Sequence, residues 1–215
     1  MTSPNQDADA GIAVDLALVL AVDCSSSIDL GDFKLQMDGI AGALRHPALA
    51  RAIASGAHGR IALALVLWSN AETQVVAVPW RALAGNGDLE AAAAAVASTD
   101  RNNQRGGTGL AVAIGFSTAV LSTLPVPTAR RVIDVSGDGE DNEGGDVAAA
   151  RDLAVARGIT INGLPIVTGS PTLVGYYQRQ VIGGEGAFLE PAKNIASFRD
   201  TILRKLLREI GAPSA

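Results

Sequence analysis

The chain has 215 residues, enough for one well-covered core, and 48% of them are hydrophobic while 18% are charged. Seventeen Lys and Arg against 22 Asp and Glu give a net charge of −5, the wrong sign for a protein that tracks a phosphate backbone, so nucleic acid is not an expected partner. The single cysteine, Cys24, excludes an internal disulfide, a CxxC redox pair and a cysteine-rich zinc site.

In chain order, the first ten residues lack both the basic start and the apolar middle of a signal peptide. The chain is therefore expected to be either cytoplasmic or an exported protein in its mature form. The apolar run at 12–22 (IAVDLALVLAV) is interrupted by Asp15 and is too short for a membrane span, so no span is expected. Its nearly continuous aliphatic character predicts a strand buried on both faces, as in a parallel sheet. Phe33, Met37, Ile40 and Leu44 then repeat at helical spacing. The run at 61–68 (IALALVLW) predicts a second buried strand, and 74–78 (QVVAV) follows too closely for a crossover helix, which predicts an antiparallel return.

Asp88 is the expected N-cap of an alanine-rich helix over 89–96, and Leu110, Ile114, Ser117 and Leu121 mark another helix. The segment 132–135 (VIDV) predicts a strand, 147–157 a helix closed by Gly158, and 159–167 a further strand. Ser170 and Pro171 are read as the cap and first turn of a helix, and a weak strand is expected at 186–189. The last helix presents Ile195, Phe198, Ile202, Leu206 and Ile210 as one stripe, with Arg199, Arg204, Lys205 and Arg208 largely off it. Together these predict an α/β fold: a Rossmann-like, doubly wound, mostly parallel six-stranded sheet with one antiparallel strand and helices on both faces. The expected organisation is a flexible segment at 1–11, one domain at 12–210 and a flexible tail at 211–215.

In such sheets ligands bind at the carboxyl ends of the strands. The loop after the first strand reads Asp23-Cys24-Ser25-Ser26-Ser27, an acid and two hydroxyls at alternate positions. Thr108 follows a glycine pair at the start of a helix, and Asp138 follows the 132–135 strand. Hard divalent ions take oxygen ligands of this kind. Asp134, inside the strand, is the rival acid and would need a partner or an altered pKa.

At these residues the chain resembles the von Willebrand factor A family. That family's metal-ion-dependent adhesion site uses a D-x-S-x-S loop, matched here by Asp23, Ser25 and Ser27, with a separate threonine, Thr108, and a separate acid, Asp138. Many relatives read Ser-Asp-Gly at the last position, whereas here Gly137 separates Ser136 from Asp138. The resemblance, to a bacterial subgroup that is often exported, implies a periplasmic location. It also implies a bound Mg²⁺ or Mn²⁺, with Ca²⁺ as a further option, that accepts an Asp or Glu from a partner protein in adhesion or assembly.

Two other functions compete with that reading. A metal-assisted hydrolase would use the open coordination position to activate water, but the sequence places no general base beside the ion, and Ser25 stands where haloacid-dehalogenase-type phosphatases carry a second Asp. A structural domain with a vestigial site is the third. His46 and His58 are read as loop histidines with no catalytic or metal role. Glu140, Asp141, Glu143 and Asp146 are read as a solvated loop and helix start. Trp68 and Trp80 are read as rim or core residues, with an aromatic lip beside the ion as the sharper alternative. Of Tyr176 and Tyr177, one is expected packed and one exposed.

Overall fold

The computed structural model describes residues 11–101, 106–168 and 170–211. The flexible segments assigned to the two termini lie outside the described residues except for Gly11 and Gly211, the latter closing the last helix.

Five strands form one sheet in the order β3-β2-β1-β4-β5: β1 Leu16–Asp23, β2 Ile61–Trp68, β3 Gln74–Leu83, β4 Arg131–Gly137 and β5 Ile159–Pro165. All neighbours are parallel except β2 and β3, which pair as the antiparallel return expected from their short connection. Both central strands are buried along their whole length, which is why they read as continuous aliphatic runs. Winding reverses at β1, so the loops after β1 and β4 open side by side at one end of the sheet.

Strand alternation divides the core in two. Leu16, Leu18, Leu20 and Val22 face α1 (Leu30–Leu44), α2 (Pro47–Ala54), α3 (Asn86–Ala97) and the last helix. Ala17, Val19 and Ala21 face α4 (Leu110–Ser122), α5 (Val147–Val155), α6 (Leu173–Tyr176) and the π-helical turn Tyr177–Val181 that continues it. The last helix, α7 (Phe198–Gly211), follows a 3₁₀ turn at Ile195–Ser197 and buries Phe198, Ile202 and Leu206 as the stripe predicts.

Four expectations are corrected. The sheet has five strands, not six. The 183–192 segment runs along β5 but forms no ladder with it, its backbone pairing being isolated bridges of mixed polarity, Ile161 with Gly183, Gly163 with Leu189 and, just past the strand, Ile166 with Ala192. Gly184, at φ +92°, turns the chain between the first two and prevents a continuous ladder. Asp88 is not the N-cap of α3. The helix starts earlier, at Gly85, and Asp88 Oδ2 reaches back to accept from the Ala84 and Gly85 N–H groups at 3.0 and 3.1 Å. The helix near Ser170 begins two residues later than expected, because the Ser170 carbonyl first closes a turn with Leu173 N–H.

The fourth concerns Lys205, which is fully buried rather than off the stripe. Its Nζ lies 2.8 Å from Asp134 Oδ1 on β4 and 2.5 Å from Glu209 Oε1 one helical turn on. Asn162 Nδ2 on β5 donates to the same Glu209 oxygen at 3.0 Å. A charged residue on the inner face of α7 is tolerated because the sheet supplies its counter-ion. Burial, followed by the nearby Glu209 charge, pushes the Asp134 carboxyl up to about 7 even so.

β3 is the edge strand opposite β5. Its pairing with β2 shifts register beside Leu65, and the exposed Pro79 sits where one shift occurs.

Candidate metal centre

The site is built where β1 and β4 end. Asp23 closes β1 and is fully buried. Its Oδ1 accepts the Ser25 N–H at 2.7 Å, the tight local turn that makes the chain leave the strand, while its carbonyl accepts from Gln36 Nε2 on α1 at 3.2 Å. Asp23 Oδ2 makes no hydrogen bond among the described residues. Burial raises this carboxyl to about 7, against the opposing pull of the Ser25 hydrogen bonds.

Ser25 Oγ lies 3.1 Å from Ser27 Oγ, and Ser27 Oγ donates to Asp138 Oδ1 at 2.7 Å. The D-x-S-x-S loop and the acid after β4 are therefore joined across 111 positions of sequence. Asp138, past the end of β4, faces this loop, whereas Asp134 is engaged with Lys205 in the body of the sheet. Thr108 is buried at the N-terminus of α4, and its N–H donates to Asn142 Oδ1 at 2.7 Å while its carbonyl accepts the Asn142 N–H at 3.0 Å. Its hydroxyl is turned to the same loop as Asp138, since a Cβ on Gly139 would stand 3.2 Å from Thr108 Oγ1.

Three features of the site carried no sequence signal. Arg101 is buried and grips the loop from below, its Nε and Nη2 donating to the Cys24 carbonyl at 3.2 and 2.9 Å and its Nη2 to the Ser25 carbonyl at 2.6 Å. Nothing in an isolated Arg marks it for this role. Ser26 pairs with Gly106 through both backbone and hydroxyl, which ties the first loop to the chain entering α4. Asp141 is structural: Oδ2 accepts from Ala111 N–H at 3.2 Å, and Oδ1 from the Glu143 and Gly145 N–H groups. Asp146 caps α5 through Ala149 N–H at 2.9 Å, the helix-start role expected for it.

The remaining aromatic and histidine residues are placed as follows. Trp68 is wholly buried in the core beneath the site, beside Asp23 across the β1–β2 pair, and forms no lip. Trp80 lies over the C-terminal end of α4, donating to the Val120 carbonyl. Tyr177 is the packed member of the tyrosine pair, and Tyr176 is partly exposed, its Oη accepting from Asp141 N–H at 3.2 Å. His46 caps α2 through Nδ1, and the His58 N–H donates to Asp15 at the start of β1, away from the site.

The donor set suits a hard divalent cation: three hydroxyls, a half-exposed carboxylate and a buried carboxylate with one oxygen that no described residue hydrogen-bonds. Among the described residues no three His, Cys, Asp or Glu side chains converge on a metal position, so hydroxyls would have to make up the set. No described helix is long and apolar enough to cross a membrane.

The family described as "Protein of unknown function (DUF1194)" matches residues 13–214. A comparison with curated protein sequences found no match. Among solved structures, proximal thread matrix protein 1 from the mussel byssus is similar at a TM-score of 0.67 and 13% identity, covering 94% of this chain and 48% of that one. A further structure of that protein has a zinc-occupied metal-ion-dependent adhesion site motif. The von Willebrand factor type A protein from Catenulispora acidiphila is similar at a TM-score of 0.62 and 17% identity, covering 92% of this chain and 43% of that one. The von Willebrand factor domain of the type V pilus tip protein Mfa5 from Porphyromonas gingivalis gives a TM-score of 0.60 and 11% identity over 94% and 98% of the two chains. The chain thus spans about half the length of the first two of these proteins. These likenesses identify the fold as that of the von Willebrand factor A domain.

Proposed function

From the premise that this chain belongs to the DUF1194 family and has the von Willebrand factor A fold, we propose that it is a divalent-cation-dependent protein-binding module. Asp23, Ser25, Ser27, Thr108 and Asp138 would hold the ion, Mg²⁺ or Mn²⁺ being the preferred candidates. The observation that carries this reading is the hydrogen-bonded chain Ser25–Ser27–Asp138 beside a buried Asp23 oxygen that has no donor among the described residues. A bound ion would supply an electrophilic position for a carboxylate from a partner protein.

What this chain's own residues contribute is pre-organisation. Arg101 fixes the loop backbone, Ser25 N–H fixes one oxygen of Asp23, and Asn142 fixes the start of α4 at Thr108. Few protein carboxylates enter the set, which leaves the ion a surplus of positive charge for an acidic partner. An adhesion or assembly role, and an exported location, accord with the pilus-tip and byssus proteins that share the fold.

The test is Mn²⁺ binding by calorimetry, together with capture of the chain by an immobilised acidic peptide in Mg²⁺ and in EDTA. Binding and capture should be lost with Asp23→Ala and with chelation. Capture that survives both would overturn the proposal.

A further inference from the structure

Beneath the loop, three polar atoms from three different elements are buried and make no hydrogen bond among the described residues: Asp23 Oδ2, Tyr177 Oη and Trp68 Nε1. The first two meet the edge of the Trp68 ring at Gly137. A Cβ on that residue would stand 2.8 Å from Asp23 Oδ2, 2.9 Å from Tyr177 Oη and 3.2 Å from Trp68 Cζ2, the ring carbon two bonds from Nε1. Tyr177 reaches this point by crossing the ends of β5 and β4. A Cβ on Gly163 would meet Tyr177 Cδ1 at 2.8 Å, so two glycines on adjacent strands clear the path of one ring.

The ring is aimed by an unusual piece of backbone. Tyr177 begins the π-helical turn Tyr177–Val181, and single π turns inside helices concentrate at functional sites. Leu173, Tyr177 and Val181 are all fully buried in the core on that face, so the ring has one orientation. The phenol keeps its proton, since burial and then the Asp23 and Asp138 charges hold it well above the ordinary tyrosine range.

The chemistry of the three atoms is complementary. The phenol and the indole are donors, and the carboxylate oxygen is an acceptor with two lone-pair sites. Buried polar groups left in this way are satisfied by enclosed water, which makes about three hydrogen bonds in such a place. One water accepting from Tyr177 O–H and Trp68 N–H and donating to Asp23 Oδ2 satisfies all three and leaves the second lone pair of Oδ2 free.

We propose that Tyr177 is a positioning residue for Asp23, acting through one enclosed water that it shares with Trp68. With Oδ1 held by Ser25 N–H, this contact fixes the rotation of the carboxylate and so the direction in which its remaining lone pair points. The inference rests on the metal-site reading for its functional meaning. Partners one step removed from a metal are worth about 10- to 100-fold in affinity.

The test uses the whole chain and Mn²⁺ alone. Tyr177→Phe removes the donor and keeps the ring. It should weaken Mn²⁺ binding by about 10-fold while the melting temperature in EDTA stays close to that of the parent. A high-resolution crystal structure of the parent should show one water within hydrogen-bond distance of Asp23 Oδ2 and Tyr177 Oη, lost in Tyr177→Phe. Parental Mn²⁺ affinity in Tyr177→Phe, or a well-ordered site without that water, overturns the proposal. If the parent itself binds no Mn²⁺, the metal reading falls alone, and the water then decides: present in the parent and lost in Tyr177→Phe, it sustains the positioning of Asp23; absent, it overturns it.

Discussion

Asp23 and Asp134 are both buried carboxylates on adjacent parallel strands, and burial raises both to about 7. Their surroundings differ. Asp134 faces the α7 side of the sheet and meets the ammonium of Lys205, whereas among the described residues no cation stands against Asp23 at the end of its strand. The first is compensated from within, so it reads as architecture. Among the described residues no charge compensates the second, and that asymmetry distinguishes a structural acid from a candidate ligand more sharply than exposure or position in a motif.

The comparison can be broken in order of expected effect. Lys205→Met leaves Asp134 and Glu209 buried without their cation and should cost about 3–5 kcal/mol in urea denaturation. Replacing Asp134, Lys205 and Glu209 together by apolar residues of similar volume should recover most of that loss. If Lys205→Met alone were neutral, Asp134 would not depend on Lys205 and the contrast with Asp23 would disappear.

Asp23→Asn should act in the opposite sense. Measured in EDTA near pH 8, it should stabilise the chain by about 1–3 kcal/mol, because it removes an uncompensated buried charge, while abolishing any thermal shift caused by Mg²⁺. A destabilised Asp23→Asn chain in EDTA would mean that the charge of the carboxylate is compensated without an ion.

The pH dependence of the Asp134 cluster follows from its direction. Between the ordinary carboxylate range and about 7, the folded chain retains a proton at Asp134 that the unfolded chain has released. Stability should therefore fall as pH rises through that window, and Asp134→Asn should lessen the fall in urea midpoints measured from pH 5 to pH 8, the remainder belonging to Asp23. A slope unchanged by Asp134→Asn would place the titration elsewhere. At the small end, the exposed Lys34–Asp38 pair on α1 should contribute little, and Lys34→Ala should change stability by no more than about 0.5 kcal/mol.

Much of the fold was legible because buried parallel strands write themselves as aliphatic runs and the α7 stripe repeats at helical spacing. The antiparallel β3 could be inferred from the length of its connection alone. In the candidate site, Asp138 could be preferred to Asp134 because one residue lies beyond a strand end and the other within a strand. Lys205 was misjudged for a tertiary reason: its burial depends on Asp134, 71 positions away, and no helical period reveals a counter-ion on another element. Arg101 acts on carbonyls, which leave no trace in a sequence. Tyr177 was legible only as one packed tyrosine of two, since its path depends on the coincidence of Gly137 and Gly163 on neighbouring strands. The missing sixth strand turned on Gly184, whose positive φ is a matter of local geometry that alternation cannot foresee.

The two borders of the sheet carry a final consequence. A parallel sheet with a bare border invites a second copy to add its own strand, the first step toward polymer. Here one border is covered by the 183–192 segment running along β5, too irregular to serve as a template. The other, β3, carries Pro79 at a register shift, where a proline can donate no ladder hydrogen bond. Both borders are blunted against edge-to-edge growth, so a chain crowded at high concentration is kept from pairing with its own copies through its strands.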